Sequence, residues 1–161
     1  MLEYKTVIYK NLSENQKLLI SKFLKQNFPK INVEDTGLEP NTIIILCTSE
    51  NKIVGMVCLI NNSILKRKLE EKKISLEYYN IINLDGLFIY NLCVDKDYRN
   101  KKIGYTLINK CISFISKYKF DYVHTQAESE ISRILFLKNG FMEDNEFKIN
   151  GNKFYVLSKF I

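Results

Sequence analysis

A chain of 161 residues is long enough for one domain with a substantial buried core. Its 46% hydrophobic and 26% charged residues are typical of a globular protein. The sequence shows neither a run of 18 apolar residues nor an N-terminal signal segment. We therefore expect a cytoplasmic protein with no membrane partner. The net charge of +6 would suit nucleic acid, but no basic run alternates with aromatic residues, and we expect no such partner.

The candidate metal ligands are too dispersed for a metal site. The four cysteines form no Cys-x-x-Cys pair, and His124 is the only histidine. We expect no metal, and we expect the thiols to behave as small buried apolar groups. The cysteines are Cys47, Cys58, Cys93 and Cys111.

The first part of the chain reads as a strand, a helix and two further strands. Ser13 is a good helix N-cap, an apolar stripe follows it, and Pro29 limits the helix. A loop with a possible short helix follows from Lys30 to Asn41. The predicted strands are Thr6–Tyr9, Thr42–Thr48 and Lys52–Ile60.

The next stretch, residues 61–80, reads as an insertion. It is rich in lysine and glutamate and has helical propensity, particularly over 65–72. We expect an exposed, solvated helix or loop there, with no direct chemistry.

The rest of the chain alternates strands with helices and closes on a hairpin. A helix with apolar residues at every fourth position is predicted from Ile103 to about Tyr118. Asn150 and Gly151 form a strong hairpin turn, and the order is that of a mixed α/β sheet. The remaining predicted elements are strands Leu87–Val94 and Tyr122–Thr125, a helix over 129–138, and strands Phe147–Ile149 and Phe154–Leu157.

A short basic loop joins the strand that ends at Val94 to the helix that begins near Ile103. A helix N-terminus presents unpaired N–H groups and a partial positive charge, which suits a diphosphate. Arg99, Lys101 and Lys102 add charge, and Gly104 permits close approach of a ligand. The alternative is a solvated basic loop before an ordinary helix, and the spacing alone does not separate the two.

This region resembles the GCN5-related N-acetyltransferase (GNAT) superfamily. The family's Gln/Arg-x-x-Gly-x-Gly/Ala motif is matched at Arg99 and Gly104, while Lys102 replaces its first glycine. We expect that lysine to take helical dihedrals. A second motif, Tyr-x-x-x-Gly-Phe, is matched at Gly140 and Phe141 with Phe136 in place of the tyrosine. The resemblance covers about Leu87 to Phe141.

The resemblance implies one acetyltransferase domain over residues 1–161. Its fold would be a mixed, mostly antiparallel sheet with a splayed central pair of parallel strands, flanked by helices. It implies acetyl-CoA as co-substrate, with pantetheine against the first of the two parallel strands and pyrophosphate on the amides of about Lys101 to Thr106. The implied cofactor-binding residues are Leu92, Cys93, Val94, Arg99, Asn100, Lys101, Lys102, Ile103, Gly104, Tyr105, Thr106, Ser129 and Phe136.

The catalytic groups are less clear from the motif. The family's usual acid is a tyrosine at the position of Phe136, which cannot donate a proton. The strand containing His124 is similar to that of N-terminal acetyltransferases in which a histidine acts as base with a tyrosine on the preceding strand. That tyrosine's position is Phe88 here, so Tyr90 is a loose substitute. The alternatives are a structural His124 and, less favoured because nothing lowers its pKa, a nucleophilic Cys93.

We therefore expect an N-acetyltransferase that uses acetyl-CoA and a primary amine of a peptide, a protein or a small molecule. The rival hypothesis is a non-catalytic acyl-CoA-binding or regulatory module, which Phe136 and Lys102 favour. Tyr105 is expected to pack, and Glu128 and Glu130 to act as charge partners of a helix N-terminus. The C-terminal hairpin could also pair across a homodimer.

Overall fold

The computed structural model describes residues 1–30, 36–75 and 85–161. In these residues, seven strands and four helices follow the predicted order. The predicted loop at 30–41 and insertion at 61–80 lie partly outside the described residues. The elements are β1 (Leu2–Ile8), α1 (Glu14–Asn27), β2 (Ile43–Ser49), β3 (Lys52–Asn61), α2 (Asn62–Glu71), β4 (Gly86–Val94), α3 (Ile103–Lys117), β5 (Tyr122–Ala127), α4 (Glu130–Lys138), β6 (Met142–Ile149) and β7 (Asn152–Phe160).

The strands form one sheet in the order β1-β2-β3-β4-β5-β7-β6. β4 and β5 run parallel, whereas β1–β2, β2–β3, β5–β7 and β6–β7 are antiparallel. This confirms the predicted mixed sheet with a parallel pair at its centre. Among the described helices, none has the length and apolar character needed to span a membrane.

The described chain divides into two compact units. The first consists of Met1–Leu59 and Asn91–Leu107. In it, α1 begins with the predicted cap, because Ser13 Oγ accepts from the Gln16 amide at 3.3 Å and the Gln16 side chain accepts from the Ser13 amide at 2.9 Å. This reciprocal arrangement satisfies two amides that the helix leaves unpaired.

Gly55 on β3 allows the first turn of α3 to lie close to the sheet. A Cβ atom at this position would stand 2.8 Å from Ile103 Cγ2 and 3.3 Å from Leu107 Cδ1. Both side chains are buried, with 1% and 0% of their surface exposed, so they have little room to move. The absent side chain at Gly55 therefore sets the height of the α3 N-terminus above β3.

We predict that Gly55→Ala lowers the free energy of unfolding by about 1–3 kcal/mol, because an extra methyl group overfills this contact. Urea unfolding of the purified variant measures the loss. Ile103→Leu moves the branch away from Cβ and is the matched partner in a double-mutant cycle. The two substitutions together should cost less than the sum of the single effects, and strictly additive losses would contradict the contact.

The second unit consists of Ile60–Tyr90 and Ile108–Ile161. Its C-terminal hairpin turns at Asn150 and Gly151, whose φ angles of 51° and 81° confirm the predicted turn. Gly140 follows α4 with φ at 81°, which is the left-handed conformation expected where a helix ends.

The helix α2 is more buried than the sequence prediction allowed. Leu65 and Leu69 are 6% and 4% exposed and belong to one apolar cluster with Ile60 and Phe88. The prediction of an exposed, solvated helix is therefore wrong for this inner face. Only the outer face is charged, since residues four apart lie on the same side of a helix and these two leucines share the inner side.

The parallel ladder between β4 and β5 is short. Gly86–Ile89 pair with Tyr122–Thr125, and in the described chain that ladder ends there although β4 continues to Val94. The prediction of parallel neighbours that do not pair along their whole length is confirmed.

Shortly after the ladder ends, Asn91 has a φ of 52°, and its side-chain Nδ2 donates to Thr36 O at 2.8 Å.

Candidate active site

The loop after β4 is shaped by Asp95. Its amide donates to Val54 O at 2.9 Å, and its carboxylate accepts from the Asp97 amide at 3.0 Å. Lys52 Nζ lies 3.4 Å from the same carboxylate. These three contacts hold a single 3₁₀ turn, Lys96–Tyr98, directly after the strand.

The backbone of this loop twice enters the left-handed region. Asn100 has a φ of 62° and Lys102 a φ of 60°. The expectation that Lys102 takes helical dihedrals is therefore wrong. The family's glycine has a physical reason at this position, because a left-handed backbone has no steric cost for glycine but costs a side-chain-bearing residue about 1–2 kcal/mol.

The helix α3 begins at Ile103, immediately after this left-handed residue. The Thr106 amide donates to Lys102 O at 2.9 Å, which closes the first helical turn. The amides of Ile103 and Gly104 precede that bond and belong to the set that an α-helix cannot pair internally. Amides of this kind, at the positive end of the helix dipole, can bind an anion.

Three cations, Arg99, Lys101 and Lys102, lie in the four residues before this helix start, and all three are exposed. Arg99 Nε donates to Val94 O at 3.3 Å, so its guanidinium lies back over the end of β4. Lys101 Nζ stands 4.6 Å from the centre of the Tyr98 ring. Tyr105, which was expected to pack, is 40% exposed, so more than half of its surface is covered.

The end of β4 offers backbone rather than reactive side chains. Leu92 and Val94 are half-buried, and Cys93 is 9% exposed. Burial raises the pKa of the Cys93 thiol well above its usual range, and the nearby Arg99 lowers it by less. A thiol in this environment is not ionised near neutrality, which argues against a nucleophilic Cys93. None of the four cysteines forms a disulfide, and all four are buried, as predicted.

His124 lies on β5 in the second unit and is fully buried. Its Nε2 is 2.5 Å from Asn62 Oδ1, at the start of α2. The ring packs against Phe88, with centroids 5.1 Å apart, and stacks on Tyr122 at 5.4 Å and 22°. His124 is thus held on three sides by a side-chain amide and two aromatic rings.

Tyr90, the other predicted catalytic residue, lies on β4 two positions after Phe88. Its ring is half-buried and stacks on Phe88, with centroids 6.0 Å apart and planes 14° apart. Phe88 therefore contacts both His124 and Tyr90, as expected for residues on one face of paired strands.

Ser129 and Phe136 have structural surroundings on α4. The Ser129 hydroxyl accepts from the Ser132 amide at 3.1 Å and caps the helix. Phe136 is 2% exposed and packs edge-on against Phe141 at 5.0 Å. Glu130, in the first turn, pairs with Arg133 at 2.7 Å.

Three residues of this region were not singled out from the sequence. Asn91 and Asp95 carried usable signals, since asparagine tolerates a left-handed backbone and aspartate often caps a turn. Asn62 carried none, because it lies in a polar stretch and its partner His124 is 62 residues away.

The described residues contain no group of three or more His, Cys, Asp or Glu that could hold a metal ion.

Asp95 makes a testable contribution to the loop. The Asp97 amide, and with it Lys52, lowers the pKa of Asp95 in the folded protein. The stabilisation is therefore present above the unfolded pKa of about 4 and is lost as the pH falls through the folded value. Asp95→Asn should lower the free energy of unfolding near pH 7 by less than about 1 kcal/mol, because solvent screens the pair.

The measurement is urea unfolding of wild type and variant between pH 7 and pH 3, where the difference should shrink towards the acid end. Asp97→Asn removes an equal charge from an exposed neighbour and is the control. A difference for Asp95→Asn that is independent of pH, or equal to that of Asp97→Asn, would contradict the assignment.

Comparisons with known proteins identify the family of the chain and other proteins with the same fold. Residues 12–141 match the model of the acetyltransferase (GNAT) family. No curated protein sequence matches the chain closely enough to be reported as a relative.

Similar folds occur among solved structures. A polyamine N-acetyltransferase of Drosophila melanogaster has a TM-score of 0.79 at 12% identity, covering 100% of each chain. NAA60 of Arabidopsis thaliana, solved with acetyl-CoA, has a TM-score of 0.72 at 13% identity, covering 100% of this chain and 99% of that one. ElaA of Escherichia coli has a TM-score of 0.71 at 15% identity, covering 99% of each. These similarities concern the fold, while the match over 12–141 shows that the chain belongs to the acetyltransferase (GNAT) family.

Proposed function

We propose that this protein transfers an acetyl group from acetyl-CoA to a primary amine. The feature that carries the proposal is the start of α3. The amides of Ile103 and Gly104 there are ones that a helix cannot pair internally, and the three exposed cations precede them closely in the chain. Family membership supports the reaction class. The acceptor is a peptide or protein α-amine, or a small-molecule amine.

The pyrophosphate of acetyl-CoA would bind at the amides from Lys101 to Thr106. Partial positive charge at a helix N-terminus stabilises an anion, and Arg99, Lys101 and Lys102 add whole charges. Asn100 and Tyr105 flank the same turn. The pantetheine would follow the backbone of Leu92, Cys93 and Val94, where amide and carbonyl groups can pair with its own amides.

The reaction needs a neutral amine. An alkylammonium with a pKa of about 10 must first lose a proton, and its lone pair then attacks the thioester carbonyl. The C–S bond breaks, the nitrogen loses a second proton to solvent as the amide forms, and the thiolate of CoA leaves. We assign His124 as the base, directly or through water. Tyr90 or solvent returns a proton to the thiolate, since Phe136 has no hydroxyl group to do so.

Direct attack is favoured over an acetyl-cysteine intermediate. Such an intermediate requires a thiolate, and burial keeps the Cys93 thiol protonated.

The experiment that tests the function is a CoA-release assay with two panels of acceptors. One panel contains short peptides with free N-termini, each matched by a peptide whose N-terminus is blocked. The other contains diamines, polyamines and agmatine. Release of CoA with one panel identifies the acceptor class. Binding of acetyl-CoA without turnover of either panel would instead support a non-catalytic acyl-CoA-binding module.

The cofactor site yields the next prediction. Gly104→Trp should abolish measurable acetyl-CoA binding, because a large side chain would block the approach of the pyrophosphate to the first turn of α3. Isothermal titration calorimetry measures the affinity, and circular dichroism checks that the variant is folded. Arg99→Ala is the comparison variant and should lose less, since several amides share the charge. Unchanged affinity in Gly104→Trp would rule out this placement.

The catalytic assignment yields a kinetic prediction. His124→Gln should retain acetyl-CoA binding and lower kcat by about 100- to 10,000-fold, which is the usual contribution of a general base. The acid limb of the pH–rate profile should also disappear. A variant with the wild-type rate and an unchanged profile would make His124 a structural residue and place the base elsewhere.

A further inference from the structure

Asn62 is the one polar residue on the buried face of α2. It is 5% exposed and is followed on the same face by Leu65 and Leu69. Asn61 caps the helix by accepting from the Ser63 amide at 2.8 Å, which fixes the backbone immediately before and after Asn62. Cap and leucines together leave Asn62 little freedom to move.

The fold leaves room for the Asn62 amide next to β4. A Cβ atom at Gly86 would stand 3.0 Å from Asn62 Nδ2 and 2.8 Å from Tyr122 O. The absence of a side chain at Gly86 therefore lets the amide reach His124 on β5. Contact between Asn62 Oδ1 and His124 Nε2, at 2.5 Å, is within hydrogen-bond distance.

This contact specifies the proton on the imidazole. An amide oxygen can only accept, so with Asn62 Oδ1 facing the ring, His124 Nε2 donates and carries hydrogen. A neutral imidazole has one N–H, so Nδ1 then has the lone pair. Rotation of the ring by half a turn would break this bond, and packing against Phe88 and Tyr122 opposes it.

We propose that Asn62 is a positioning residue that holds His124 in the Nε2–H tautomer, so that the lone pair on the buried Nδ1 receives the proton of the acceptor amine through water. The inference rests on the proposed function for its catalytic part. Nε2–H is present in both the neutral and the charged ring, so the hydrogen bond to Asn62 persists when Nδ1 takes up a proton. Helix α2, for which the sequence predicted no direct chemistry, would then provide the residue that positions His124.

The described neighbours of the His124 ring lie on four elements of the second unit. His124 faces Phe88 on β4, Tyr122 on its own strand, Asn62 on α2 and, in register on β7, Ser158. Among these four described neighbours, Tyr122 is the one with an ionisable side chain, a phenol. On α2, the charged residues Lys66, Arg67, Glu70 and Glu71 are exposed, and Lys68 is partly buried.

The first test needs neither a variant nor a substrate. His124 is the only histidine, so long-range proton–nitrogen NMR of the ¹⁵N-labelled chain, with any purification tag removed, reports a single imidazole. We expect the Nε2–H pattern at neutral pH. An Nδ1–H pattern would mean that the Asn62 amide is turned the other way and donates through Nδ2, and it would overturn the proposal while leaving the proposed acetyl transfer intact.

The second test is kinetic and uses matched substitutions. Asn62→Leu has a similar size but no acceptor, so kcat should fall at least about tenfold with little change in KM for acetyl-CoA. Asn62→Asp keeps the acceptor and adds a negative charge, so it should retain the Nε2–H tautomer and shift the acid limb of the pH–rate profile to higher pH.

Two outcomes distinguish failure of the positioning role from failure of the proposed function. An Nε2–H tautomer with unchanged kcat and pH profile in both variants would make Asn62 purely structural and overturn the positioning role. No turnover of any amine by the wild type would overturn the proposed function and, with it, the catalytic part of this inference. If Asn62→Leu fails to fold, Asn62→Asp and the wild-type NMR spectrum decide.

Discussion

The shortness of the parallel ladder between β4 and β5 is the constraint on which the rest of the structure depends. β4 gives Gly86–Ile89 to that ladder and then continues to Val94. Shortly after the ladder ends, Asn91 adopts a left-handed backbone, which costs a residue with a side chain about 1–2 kcal/mol. Its hydrogen bond to Thr36 O, at 2.8 Å, offsets part of that cost. The strand therefore reaches the basic loop with backbone groups that β5 does not use.

Strain recurs in the basic loop and has the same physical cause. Lys102 occupies a left-handed position that glycine would fill without steric cost. In exchange, a lysine there places another cation directly before the first turn of α3. A lysine in place of the family's glycine therefore adds a positive charge before the helix N-terminus at the cost of backbone strain.

The hydrogen bond between Asn62 and His124 affects both the stability of the fold and the tautomer of the ring. A buried imidazole without hydrogen bonds would cost about 1–3 kcal/mol, so the contact with Asn62 has a structural value whether or not the ring transfers protons. The same contact fixes which nitrogen carries hydrogen, which matters only to proton transfer. Burial by itself therefore does not distinguish a structural histidine from a base, whereas the tautomer and the kinetics of Asn62 variants do.

The sequence by itself determined the order of the elements, the Ser13 cap, the turn at Asn150–Gly151 and the basic loop that joins β4 to α3. These depend on contacts between residues close in the chain, and local patterns record them. The motifs around Arg99, Gly104 and Gly140 also sufficed to indicate the family.

Only the tertiary structure decided the burial of α2, the left-handed backbone of Lys102, the exposure of Tyr105 and the partner of His124. Each depends on what lies opposite a residue in space. The Asn62–His124 contact spans 62 positions and requires the absence of a side chain at Gly86. No local pattern encodes such a coincidence, because it exists only after α2 has packed on β4 and β4 has paired with β5.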